Sequence, residues 1–348
     1  MTTLTLYATS LGQAFRQIDR AVLVILALIL AMALLMPLSA VGESLNFTLT
    51  NLIGIAPYLL ASAVAAAWLT AAGADGVISR VFQGHWLVVI GAAALFGSLS
   101  PFCSCGVIPI IAALLAAGVP LPAVMAFWLS SPIMDPEIFL ITVGAIGLQF
   151  AIAKTIAAFL IGIFGGLGTH MVQAAGGFAA PLREQVSSGG TCRPSIPDAK
   201  IHWSFWKTPE RLDKFRTTVI WTVLFLGKWL VLAFILESLM VRYVPPELIG
   251  GWLGNDSSWA LPLAVITGVP AYLNGYVAIP LVAGLMDSGM APGPALAFMT
   301  AGAVTSIPAA IAVYALVRKA VFLWYILLAV VGSLLAGGAY QIYTTGLG

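Results

Sequence analysis

Runs of about twenty apolar residues without a charge constrain this chain more than any other feature. Ala21–Val41 and Leu52–Ala72 are two of them, and about 20 residues of helix cross the hydrocarbon of a bilayer. A soluble domain needs roughly a quarter of its residues charged to cover its surface. Here 8% are charged and 61% are hydrophobic. The runs are continuously apolar rather than alternating, which argues for helices against a membrane β-barrel. The expected fold class is therefore an all-α polytopic membrane protein.

Clear spans are expected at 21–41, 52–73, 149–170, 215–240 and 321–343. The stretches 86–118, 121–147, 258–290 and 292–316 are apolar but irregular. The first and third of these break near the middle into legs too short to cross a bilayer, which predicts broken or re-entrant helices and about eight to eleven membrane-embedded segments. The run at 21–41 is too long for a signal-peptide core, so it is expected to stay as the first span. Lysine and arginine near span ends stay cytoplasmic. That rule puts the N-terminus, 74–85, 171–214 and 317–320 inside, and 42–51 and 241–257 outside. The chain then divides into a cytoplasmic N-terminus (1–20), a first membrane half (21–170), a cytoplasmic loop (171–214) and a second membrane half (215–345). Trp86, Trp203, Trp206, Trp252 and Trp259 near span ends fit interfacial anchors, and Gly165-Gly166 predicts close helix packing. The net charge of +2 gives no reason to expect a nucleic-acid partner. Three cysteines make no disulfide framework. Cys192 and His202 lack a third ligand nearby, so neither a metal site nor a cofactor is expected.

The two hairpin-like stretches are copies of one another. Ala94–Phe127 aligns without gaps on Val265–Phe298, at an offset of 171 residues. Gly97 matches Gly268, Ile108-Pro109 matches Ile279-Pro280, Gly118 matches Gly289, and Ala126-Phe127 matches Ala297-Phe298. The charge-derived topology starts one copy inside and the other outside, so the two repeats are expected to be inverted. Inverted repeats with matching breaks point to a secondary transporter whose site lies near the midplane.

The polar residues inside these segments are few. "LSSPIMDPEIF" places Ser130, Ser131, Asp135 and Glu137 in the middle of 121–147, where a charge costs roughly 3 kcal/mol on insertion scales. Two prolines remove amide donors, predicting an unwound segment with Asp135 facing a cavity. Desolvation favours the neutral form of a carboxyl group, which makes Asp135 the candidate proton-coupling residue. Glu137 and Lys228, the latter midway along 215–240, join it as candidates. The plainer reading of Asp135 is an ion pair with Lys154 or Lys228. Lys154, near the end of its span, is expected to snorkel.

Cys103 and Cys105 lie in "SPFCSCGVIP", between Pro101 and Gly106 in what reads as non-helical backbone. Their counterparts in the second copy are Asn274 and Tyr276. A lone cysteine in a span is usually a small hydrophobe. Two of them in a turn can converge on a soft, thiophilic species. The candidate substrate-binding set is Cys103, Ser104, Cys105, Ser131, Asn274 and Tyr276.

"SPFCSCGVIP" followed by "GVPLPAVMAFWLSSPIMDPEIF" resembles the ArsP-type (YraQ-like) predicted permease family, over roughly residues 20–345. The resemblance implies a bacterial inner-membrane permease. The family includes efflux permeases for trivalent organoarsenicals such as methylarsenite, and relatives linked to copper or zinc efflux. No phosphate-binding G-x-x-x-x-G-K-[ST] loop is present, so the energy is expected to come from a gradient. The first functional expectation is a proton-coupled exporter of a thiophilic substrate, with the bilayer and a small-molecule or metalloid cargo as partners. A transition-metal (Cu or Zn) or other small-solute permease is the nearest alternative, and a passive channel is the alternative of another class. An intramembrane hydrolase needs two carboxylates converging from different spans. Asp135 and Glu137 come from one segment, so no enzyme activity and no catalytic residue are expected.

Overall fold

The computed structural model describes residues 20–72, 84–100, 104–178, 181–182, 206, 208–243, 259–271 and 275–346. Among them the chain is all helical apart from one isolated bridge between Leu182 and Val317. The helices are α1 (Arg20–Leu35), α2 (Leu38–Ala72), α3 (Trp86–Ser98), α4 (Ser104–Ala116), α5 (Leu121–Ser130), α6 (Pro136–Ala145), α7 (Leu148–Ala174), α8 (Pro209–Tyr243), α9 (Ala260–Ala271), α10 (Gly275–Asp287), α11 (Pro292–Thr305), α12 (Ile307–Leu316) and α13 (Lys319–Gly346). Four stretches are long and apolar enough to cross a membrane: Ser39–Trp68, Leu148–Ala174, Pro209–Leu239 and Lys319–Gly346. The pair α11–α12, bent by 44°, makes a fifth if it is one span.

Two sequence expectations about boundaries are corrected. The expected outer loop at 42–51 is helical, because α2 runs unbroken from Leu38 to Ala72. Its polar residues are absorbed locally. The Thr48 hydroxyl donates to the Ser44 carbonyl at 2.8 Å, and the Asn51 amide donates to the Phe47 carbonyl at 2.8 Å. The chain turns instead at Met36-Pro37, where proline cannot continue the hydrogen-bond ladder of α1. The loop expected at 171–214 is also shorter, since α7 continues to Ala174 and α8 begins at Pro209.

The offset of 171 residues extends well beyond the aligned hairpins. Every helix from α2 to α7 except α3 has a partner starting 171 residues later: Leu38 and Pro209, Ser104 and Gly275, Leu121 and Pro292, Pro136 and Ile307, Leu148 and Lys319. α3 and α9 overlap at the same offset. The packing details recur as well. α4 ends at Gly118 (φ 80°) and α10 at Gly289 (φ 102°). Each closes with the next amide reaching five residues back, Val119 to Leu114 at 3.0 Å and Met290 to Leu285 at 2.9 Å. This is the left-handed cap that glycine adopts without strain. A Cβ on Gly97 would lie 2.7 Å from the Phe127 carbonyl oxygen, and one on Gly268 would lie 2.7 Å from the Phe298 carbonyl oxygen. The backbones of α3 and α5, and of α9 and α11, touch where only hydrogen fits. Gly166 likewise packs on Ala126 and Pro122, as Gly337 packs on Ala297 and Gly293. The packing expected of Gly165-Gly166 is found, with Leu129 against Gly165 and Ile90 against Gly166.

Counterpart helices run antiparallel where they touch. On α7 and α13, Ile161 meets Gly332, Gly168 meets Leu328, and the Trp324 indole donates to the Thr169 hydroxyl at 3.0 Å. Position rises on one helix as it falls on the other. On α2 and α8, Ser44 and Ser238 share a hydrogen bond of 2.6 Å at one end, and Arg211 donates to the Ala71 carbonyl at 3.0 Å at the other. Ile161 and Gly332 are themselves counterparts.

The core runs through both copies. In α11 every residue from Gly293 to Thr305 is buried, and in α5 all but Phe127 are buried. Such helices, apolar all round, sit inside a bundle rather than on its face. The longer helices α1, α8 and α13 turn Leu30, Leu34, Leu224, Leu323 and Ile342 outward, as lipid contact requires. One relation breaks the correspondence. α4 packs on α2 and α12 packs on α8, but α10 makes no comparable contact with α8, nor α6 with α2, among the described residues.

Candidate transport site

The break between α5 and α6 spans Ser131 to Asp135, so the unwound segment expected in "SSPIMDPE" is present. Its far end is built as a helix start. Asp135 is the N-cap of α6, Pro136 occupies the first turn, and the Ile138 amide donates to Asp135 Oδ1 at 2.7 Å. Aspartate at the cap and proline just inside it are both favoured there. Glu137, also in that first turn, suits the positive end of the helix dipole and is exposed. The "DPE" run thus has a local structural role as well as a position inside an apolar region. Asp135 is half-buried, and none of the cavities described below is lined by it.

The near end of the break is tightly held. Ser130 Oγ donates to the Ala126 carbonyl at 2.9 Å and lies against Gly97 and Gly162. Ser131 is buried (1% exposed), and its hydroxyl has no hydrogen-bond partner within the protein. Ser100, just before the cysteine motif, is in the same condition.

Sequence reasoning underrated Lys154. It does not snorkel: the residue is 0% exposed, and its Nζ has no hydrogen-bond partner among the described residues. Among the described residues it makes no ion pair with Asp135. Burying an ammonium without hydrogen bonds costs on the order of several kcal/mol. Its placement follows from α7, whose buried stripe Lys154–Ala158–Gly162–Gly166 recurs every helical turn. The small members let α3 and α5 approach, and Lys154 extends the stripe toward α6. No signal in the sequence marks a lysine near a span end as buried; the repeat supplies one after the fact. At the 171 offset Lys154 corresponds to Tyr325, whose ring stacks on Trp128 with centroids 4.8 Å apart and whose hydroxyl donates to the Val304 carbonyl.

Glu237 on α8 was also missed. It is 4% exposed, and its Oε2 has no hydrogen-bond partner within the protein. Lys228, on the same helix, holds its Nζ 5.0 Å from the centroid of the Phe225 ring. It stands near the midpoint of the α2–α8 contact, away from Asp135 in the sequence of packed elements.

The expected contacts at Cys103 and Asn274 lie outside the described residues, as do the side chains of Ser104, Cys105 and Tyr276. The backbone of Ser104 and Cys105 forms the first turn of α4, and that of Tyr276 the first turn of α10. Cys105 and Gly106 are therefore helical rather than in the irregular backbone that "PFCSCG" suggested. Among the described residues no three His, Cys, Asp or Glu side chains gather to hold a metal ion.

A cavity of about 900 Å³ is a groove between α7 and α13 lined by Ile156, Leu160, Phe164, Leu335 and Tyr340. It is mostly apolar and is lined by none of the candidate residues. A smaller one, about 360 Å³, lies beside Trp86, whose ring stacks on His170 at 4.4 Å.

A model of the family ArsP_1, described as predicted permease, matches residues 40–342. Among curated proteins the chain is similar to the UPF0718 protein YcgR of Bacillus subtilis, 25% identical over 82% of this chain and 94% of that one. It is similar to the UPF0718 protein MJ0584 of Methanocaldococcus jannaschii, 20% identical over 81% and 93%. It is also similar to the UPF0718 protein YraQ of Escherichia coli, 24% identical over 70% and 65%. No solved structure matches the chain.

Proposed function

The chain belongs to the ArsP_1 family of predicted permeases, and on that premise we propose that it is a secondary transporter of the bacterial inner membrane that exports a thiophilic substrate in exchange for protons. The cargo on this reading is a trivalent organoarsenical such as methylarsenite. The protein is not an enzyme, and its N-terminus is cytoplasmic. One observation carries the cargo assignment. α4 and α10 share their length, their internal proline and their terminating glycine, yet Cys103 and Cys105 have Asn274 and Tyr276 as counterparts. The fold therefore has no need of thiols at that point, and a pair of them suits soft, thiophilic species.

The transporter reading draws on the repeat. Antiparallel contact between counterpart helices is what two inverted halves produce, with the two-fold axis lying across the helices in the plane of the membrane. Broken helices at matching positions, α5–α6 and α11–α12, supply the midplane gaps where a site is built. Asp135, at one break, is the proton-coupling candidate of this scheme.

Cells producing the protein should resist methylarsenite, and the double variant Cys103→Ser, Cys105→Ser should lose that resistance at unchanged protein level. Resistance equal to wild type in the double variant removes the thiols from the mechanism. In everted vesicles, accumulation of methylarsenite that collapses with a protonophore separates coupled transport from a passive channel. Copper(I) and zinc in the same panel separate the metal alternative.

A further inference from the structure

We propose that Lys154, Ser131 and Asp135 form a binding site for a neutral, hydroxyl-bearing ligand at the break between α5 and α6. The proposal rests on the transporter reading above and deepens it, by naming the part of the cargo that the thiols do not hold.

The two copies of the fold solve the same position differently. In the second copy Tyr325 reaches Val304, beside the break at Thr305–Ser306, and its hydroxyl is satisfied by that carbonyl. The residue equivalent to Val304 is Ile133, inside the break between Ser131 and Asp135. Lys154, equivalent to Tyr325, is therefore set against this break, and the packing of α6 on α7 agrees. Yet Lys154 Nζ donates to no acceptor among the described residues. The fold asks for a long buried side chain at this point, as the tyrosine shows; it does not ask for a charge.

The groups at the break define the ligand. Lys154 presents N–H donors, all unused within the protein. The Ser131 hydroxyl, also buried and unused, both donates and accepts. Asp135 commits Oδ1 to the Ile138 amide, and Oδ2 is not part of that cap. The lysine and the carboxylate together carry no net charge when both are ionised. A cation meets Lys154 and an anion meets Asp135, each unfavourably. A neutral hydroxyl accepts from the ammonium and donates to the carboxylate. The remaining groups facing α7 do not alter this balance. Among the described residues α3, α5 and α11 contribute no charged side chain. α13 contributes Tyr325, Tyr340, Tyr343 and the terminal Lys319, and α6 contributes exposed Glu137. The ligand class is thus a small neutral acid of the type E–OH, which a trivalent arsenical with free hydroxyls satisfies and a bare metal ion does not.

The test uses the full-length protein in nanodiscs and equilibrium dialysis with three probes: methylarsenite, copper(I), which has no hydroxyl, and boric acid, a neutral hydroxyl-bearing molecule without affinity for thiols. The variants are Lys154→Met and Lys154→Tyr; the second installs the side chain its counterpart position already accommodates, so folding is preserved. Both should weaken methylarsenite binding at least about tenfold and leave copper(I) binding within about twofold. Cys103→Ser with Cys105→Ser should weaken both. If wild type binds neither thiophile, the thiophilic reading fails, and boric acid decides the site alone: binding lost in both Lys154 variants supports it. Methylarsenite and boric acid binding that are each indifferent to Lys154 overturn the proposal.

Discussion

Adding one methyl group at Gly268 tests the repeat more directly than any functional assay. A Cβ there would stand 2.7 Å from the Phe298 carbonyl oxygen and 3.2 Å from its Cα. Ordinary contacts of carbon lie near 3.5 Å, so α9 and α11 must part by roughly 0.8 Å. Both contacts are with backbone, which cannot rotate aside. Overpacking of this kind costs about 1–3 kcal/mol, offset by about 1 kcal/mol because alanine is the better helix former. Gly268→Ala should thus lose on the order of 1 kcal/mol. Gly97→Ala should lose at least as much, since its Cβ meets the Phe127 backbone in the same way and Ser130 besides. Gly91 is the control. It lies inside α3 with nothing within 4 Å of its Cβ position, so Gly91→Ala should gain about 1 kcal/mol from propensity alone. Thermal unfolding of the purified protein in detergent, at one fixed scan rate, should put Gly91→Ala above wild type and the other two below it, each by about 2 °C. If Gly97→Ala and Gly268→Ala rise with Gly91→Ala, the close approach of the paired helices is wrong, and with it the structural repeat.

Three further outcomes follow from single side chains. Asp135→Asn keeps an N-cap acceptor and should leave the melting temperature near wild type, whereas Asp135→Ala should lose about 1 kcal/mol; if Asp135 also couples protons, both variants should lose proton-dependent transport in vesicles, so stability and transport should separate in the asparagine variant. Tyr325→Phe keeps the stack on Trp128 but strands the Val304 carbonyl, and should cost about 1–2 kcal/mol in thermal unfolding; a neutral result would mean that this hydrogen bond contributes nothing. Glu237→Leu replaces a buried carboxylate lacking a partner for Oε2, and should raise stability by about 1–3 kcal/mol; a drop in melting temperature would show that Glu237 is held by interactions the fold depends on.

The residues that could be read in advance were those whose local chemistry dictates geometry. Gly118 and the run from Ser131 to Pro136 announce where helices end, and the structure ends them there, whereas α4 runs through Pro109. The apolar runs announced the membrane class for the same reason: too few charges exist to cover a water-exposed surface. The reading failed where neighbours decide. Ser44, Thr48 and Asn51 looked like a loop by composition, but their side chains bond carbonyls of their own helix or Ser238 across to α8, which removes the cost of their polarity. Lys154 looked free to reach an interface, but packing of α3, α5 and α6 around α7 closes over it. The pairing of α2 with α8 was invisible because little but helix length and position is shared between their sequences. Cys103 and Asn274, which carry most of the cargo argument, lie outside the described residues and rest on sequence alone.

The unequal seating of the long pair has a consequence of its own. α2 rests on α4 and α8 rests on α12, while the matching places on α6 and α10 are unused. By the 171-residue correspondence those places have helices of matching length, although only α4 and α10 end at the same glycine cap. Sliding the α2–α8 pair across would exchange one set of contacts for its own mirror in the chain, without requiring any contact of a new type. On the proposed transporter reading, each half of the sequence holds the template for the posture that the other half now adopts.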